Sequence, residues 1–158
     1  FVTMVAANYL KPKESPDAWV VEVVNTMKMG DRDKLEKLLT SFFASIPYSQ
    51  RRKDDEREKE RYFQYTFYLV IRMISSFTVL IEKEQSEGRV DCIIETPMFV
   101  YIFEFKRDGS ATEALKQIEE KGYAREYATD NRTIYLIGCN FSSKTGTIDD
   151  WKSKGKSV

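Results

Sequence analysis

The stretch from Phe77 to Lys106 constrains the fold most. Three β-type segments, 77–84, 90–96 and 99–106, follow one another with only short turns between them. Connections this short leave no room for a crossover, so the three are expected to be antiparallel neighbours in one sheet. The second and third are apolar on both faces, as central strands are. Into them are set Asp91, Glu104 and Lys106. A buried carboxylate without a partner is costly, so these residues need partners. If Pro97-Met98 is a two-residue turn, paired positions sum to 195 and Asp91 lies opposite Glu104. Opposed residues share a face, with Cβ atoms roughly 4.5–5.5 Å apart. The period of two places Lys106 on that same face.

Two carboxylates that close repel unless a cation bridges them. A hard divalent ion such as Mg²⁺, held by carboxylates, a backbone carbonyl and waters, fits the pair. Lys106 then stands where it could orient or deprotonate a water, or stabilise charge on a phosphate. An ordinary buried ion pair, with Lys106 neutralising either carboxylate, accounts for the same spacing.

Helical periodicity precedes the strands. Leu35, Leu38, Leu39, Phe42, Phe43 and Ile46 form one apolar stripe, with Asp31 as its N-cap and Pro47 as its stop. Residues 51–61 hold six basic and five acidic side chains and read as a solvated helical start, leading into an apolar run from Tyr62 to Ile74. That run reads as a central helix packed on the sheet. A further helix is expected over 111–128 and a fourth, buried strand over 132–141. Beyond Ser142 the chain is polar, with Ile148 and Trp151 as anchors. Residues 1–30 form an N-terminal segment, the tail of a preceding domain on this reading, in which 19–24 suits a strand or a short helix; 31–158 form the domain proper. The order is helix, three strands, helix, strand: an α/β fold with a mixed central sheet flanked by helices.

Composition narrows the chemistry. The chain has no histidine among its 158 residues, which excludes Ser-His-Asp and Cys-His machinery and histidine-ligated zinc. Cys92 and Cys139 sit in apolar runs and read as buried free thiols. Basic and acidic side chains balance at 25 each, so binding to nucleic acid through bulk charge is not expected. No apolar run is long enough for a membrane-spanning helix, and the chain reads as cytoplasmic.

Gly88-Arg89-Val90-Asp91, followed by Tyr101-Ile102-Phe103-Glu104-Phe105-Lys106, resembles the D-x(n)-E-x-K core of the PD-(D/E)XK nuclease superfamily. The element order is similar to the restriction-endonuclease-like αβββαβ core, and the resemblance covers roughly 35–155. The segment from Ala114 to Ala124, with its Gln-Ile-x-x-Lys-Gly-Tyr pattern, and the strand Ile134-Tyr135-Leu136-Ile137-Gly138 are similar to one bacterial nuclease-like branch, commonly found C-terminal to an AAA-ATPase-like domain. The resemblance implies that Asp91 and Glu104 ligate Mg²⁺, or Mn²⁺ in its place, together with the Phe105 carbonyl. It implies Lys106 as the catalytic lysine, Gln117 as a polar residue at the site, and Glu60, with Glu56 next, as a further ligand from the first core helix. Lys121, one turn beyond Gln117, would reach a phosphate. Val90 stands where the superfamily name has proline.

The resemblance thus implies a metal-dependent nuclease acting on nucleic acid, DNA before RNA, with an N-terminal ATPase-like domain as partner. The alternative is a silent nucleic-acid-binding or protein-interaction module attached to that domain. The neutral charge suggests that the domain alone grips its substrate weakly and that other parts of the protein supply the hold.

Overall fold

The computed structural model describes residues 16–45, 66–72, 77–85 and 88–156. Five strands form a single mixed sheet in the order β1 (Thr78–Gln85), β2 (Gly88–Glu95), β3 (Phe99–Arg107), β4 (Thr133–Phe141) and β5 (Ile148–Lys156). β1, β2 and β3 are antiparallel neighbours, as their short connections require. β3 and β4 run parallel, joined by a crossover through helix α3 (Ala111–Glu120). Helices α1 (Pro16–Met29) and α2 (Arg32–Ser45) precede the sheet, and residues 66–72 are also helical.

The β2–β3 hairpin has the register expected of a Pro97-Met98 turn. Cys92 pairs with Phe103 and Ile94 with Tyr101, each summing to 195. Thr96 closes the turn: its N–H donates to the Phe99 carbonyl at 2.8 Å, and its hydroxyl accepts from the Phe99 N–H at 2.9 Å.

Each face of the sheet carries its own core. On one, Trp19, Val23 and Met27 of α1, Leu35, Leu39, Phe42 and Phe43 of α2, and Phe67 cover Cys92, Phe103, Phe105 and Phe141. On the other, Ile118 of α3 and Tyr123 cover Val90, Ile93, Ile102 and Leu136. β3 is buried along most of its length, its odd-numbered residues facing α1 and α2 and its even-numbered ones facing α3. The 19–24 segment, which suited either a strand or a helix, is therefore helical, and its apolar side is used against α2. The Asp31 carboxylate caps α2 by accepting the Lys34 N–H at 3.0 Å. Both cysteines are free and buried.

Two expectations are corrected. The helix expected over 111–128 ends at Glu120, because Gly122 at φ 62° turns the chain out of the helix. A single 3₁₀ turn, Arg125–Tyr127, follows. The polar tail beyond Ser142 contains a fifth strand, which pairs antiparallel with β4 and covers that side of the sheet. Ile148 and Trp151 are its anchors in the core, as expected. Pro47, Ile46 and the charged run 51–61 lie outside the described residues. Among the described residues no helix is long and apolar enough to cross a membrane.

α3 is seated by two devices. Ser110 and Glu113 form a reciprocal capping box at its start, and the Ala111 N–H donates to Asp150 at 2.8 Å. Beneath it, Gly138 of β4 lets the helix approach closely: a Cβ there would lie 2.4 Å from the Ala111 carbonyl oxygen. Gly138→Ala must therefore push α3 off the sheet. The expected cost is about 1–3 kcal/mol, as for other overpacked sites, read as a lower denaturant midpoint at unchanged slope. The same displacement would carry Gln117, on α3, away from β3.

Candidate active site

Regular pairing of β2 with β3 begins at Cys92 and Phe103, and the charged residues lie just beyond it. The Phe105 N–H, instead of continuing the ladder, donates to Asp91 Oδ2 at 2.9 Å. Glu104 is 3% exposed. Its Oε1 accepts from the Gln117 side-chain N–H, and its Oε2 is buried with no hydrogen-bond partner. Lys106 Nζ donates to Gln117 Oε1 at 2.5 Å. An ammonium can only donate, so Lys106 fixes which way the Gln117 amide faces and leaves its NH₂ for Glu104.

The electrostatics follow from burial. Desolvation first, and the Asp91 charge second, push the Glu104 carboxyl up to about 8; Lys106, the Asp91 backbone N–H and Gln117 only partly offset them. Asp91 is also raised by burial, against the Phe105 N–H and the Lys106 charge. Two carboxylates whose ionised forms the site disfavours, one with an orphaned buried oxygen, make a set that an added cation would stabilise. The donors are hard oxygens, which suits Mg²⁺ or Mn²⁺ better than a thiophilic metal.

A family model of the PD-(D/E)XK nuclease superfamily matches residues 58–151. The chain belongs to this superfamily. The match spans both β-hairpin acids, Lys106 and Gln117. The chain is also 32% identical over 129 residues to a protein described as "Uncharacterized protein in vnfD 5'region" from Azotobacter chroococcum mcd 1; the match covers 80% of this chain and 25% of that protein. The chain thus spans about a quarter of the length of this relative.

Asp91, Glu104, Lys106 and Gln117 come together. Lys121 is exposed at the C-terminal cap of α3. Glu60 and Glu56 lie outside the described residues. Among the described residues, no three His, Cys, Asp or Glu side chains converge in a group that could hold a metal ion.

Two tyrosines at the site were given no role by the sequence reading. Tyr123 donates from its hydroxyl to the Arg89 carbonyl at 2.9 Å, with the Gln117 amide beside it. Tyr68 donates to the Asp91 carbonyl at 3.2 Å. A tyrosine in an apolar run buries a hydroxyl that needs a partner, but the sequence does not say which backbone carbonyl supplies it.

Proposed function

We propose that this chain is a metal-dependent nuclease domain that hydrolyses phosphodiester bonds, in DNA before RNA. The observation that carries the reading is the buried, partnerless Glu104 Oε2 beside Asp91, with Lys106 held on the same face through Gln117. Asp91, Glu104 and the Phe105 carbonyl would hold a divalent ion, Mg²⁺ by preference. Such an ion, when bound, supplies Lewis-acid activation of the attacking water and neutralises charge on the phosphate. Lys106 contributes a fixed positive charge for the pentavalent phosphorus, and Gln117 keeps its ammonium at the site. Glu104, once ionised, holds the Gln117 amide and with it the lysine. The balanced net charge supports a division of labour in which the remainder of a longer protein, ATPase-like by the resemblance, supplies the grip on nucleic acid.

The test is incubation of the purified chain with double- and single-stranded DNA and with RNA, in Mg²⁺, Mn²⁺ or EDTA. Products are expected with either ion and none in EDTA. Cleavage that survives EDTA would overturn the metal assignment. Tight binding of nucleic acid with neither cleavage nor Mn²⁺ binding would instead support a silent binding module.

A further inference from the structure

We propose that Tyr68 and Tyr123 are positioning residues that clamp the β2 backbone on either side of Val90, from opposite faces of the sheet, and thereby aim the Asp91 carboxylate. The inference rests on the reading of Asp91 and Glu104 as metal ligands.

The β2 backbone needs such a device at this point. Regular pairing with β3 begins only at Cys92. On the other side the β1 ladder pairs Ile81 with Cys92 and Lys83 with Val90, and skips Asp91. The residue opposite it, Glu82, sits at φ 48°, in the left-handed region that a non-glycine residue seldom adopts. Asp91 is therefore without a ladder partner on either neighbour, although its carboxylate must be held to within a fraction of an ångström to bind a metal well.

The Phe105 N–H holds the carboxylate itself at 2.9 Å; the two hydroxyls hold the backbone that carries it. Tyr123 arrives from the α3 side through a Schellman turn: its N–H bonds to the Ile118 carbonyl, the Gly122 N–H bonds to the Glu119 carbonyl, and Gly122 takes φ 62°. The turn drives the Tyr123 ring into the core over Val90 and Ile118, leaving it 2% exposed with its hydroxyl on the Arg89 carbonyl. Gly88 keeps that approach open, since a Cβ there would stand 3.3 Å from the hydroxyl. Tyr68 arrives from the other face. Its neighbour Phe67 packs on Phe105 with ring centroids 4.5 Å apart, and the Tyr68 hydroxyl meets the Asp91 carbonyl. The two fixed carbonyls bracket Val90, which is fully buried. A proline there would restrict φ covalently; here two hydrogen bonds restrain the same stretch.

The test compares Mn²⁺ affinity by isothermal titration for the parent chain, Y68F, Y123F, Y101F and D91N, with thermal melts of each. Y101F is the control, because Tyr101 donates the same kind of bond, at 2.7 Å to the Met27 carbonyl, away from Asp91. Y68F and Y123F are each expected to weaken Mn²⁺ binding about 10-fold, the lower end of what supporting residues at metal sites cost. Y101F should lower the melting temperature comparably and leave the affinity unchanged. If Y68F and Y123F bind Mn²⁺ like the parent while D91N does not, the clamp is overturned and the metal site stands. If D91N binds as well as the parent, the site reading fails, and the clamp with it.

Discussion

Lys106→Ala is expected to lower metal-dependent hydrolysis by about 10³-fold, the upper end of what removing one preorganised electrostatic contact costs. Lys106 lies on the α3 face of β3, one step beyond Glu104, and its ammonium is tied to Gln117. The effect should appear in kcat, with KM little changed, because a charge that matters most on the pentavalent phosphorus acts in the transition state rather than on bound substrate. Gln117→Ala should cost less, about 10–100-fold, because it loosens the lysine and Glu104 without removing either. Lys106→Arg should not rescue the rate: a planar guanidinium cannot place a compact charge where the ammonium sits. The melting temperature of K106A should stay close to that of the parent, which separates a chemical defect from unfolding. Hydrolysis by K106A within tenfold of the parent would remove the lysine from the mechanism.

Much of this site was legible because it depends on local rules. A two-residue turn fixes a hairpin register, and the register fixes which side chains are opposed. The Pro97-Met98 turn therefore sets Asp91 beside Glu104 from the sequence alone, and the strand period sets Lys106 on the same face. Gln117 came from the resemblance, since helix periodicity cannot say over which strand a helix will be seated; Gly138, which seats it, is small for a reason visible only in three dimensions. The helix ends short of the expected 128 because Gly122 takes the left-handed conformation that stops it, a role that helix periodicity does not reveal. β5 escaped because its sequence, Ile-Asp-Asp-Trp-Lys-Ser-Lys-Gly-Lys, is that of an edge strand, charged where a central strand would be apolar. The tyrosines escaped because their partners are backbone carbonyls, which no side-chain pattern announces.

Without a divalent ion, the chain is expected to lose stability as the pH rises from about 5 to about 8. In the fold Glu104 keeps its proton up to about 8, whereas its ordinary value is 4.5. Between those values the folded state holds a proton that the unfolded chain has released, so stability falls with rising pH. The contribution is complete below the ordinary value and gone once the pH passes the folded one. Asp91 acts in the same direction, starting from its ordinary 3.8. At about 1.4 kcal/mol per pH unit, the Glu104 contribution has an upper bound on the order of 5 kcal/mol. A bound divalent ion reverses the trend, since it needs both carboxylates ionised and its binding releases protons. The gap in melting temperature between Mg²⁺ and EDTA should therefore be small near pH 5 and wide near pH 8. Glu104→Gln removes the titrating group and leaves an amide that needs no counter-charge. Its stability in EDTA should vary less with pH than that of the parent, exceed it above about pH 8, and respond little to Mg²⁺. Parallel pH–stability curves for the two proteins would show that Glu104 is ionised in the fold without a metal, and would remove the basis for the cation.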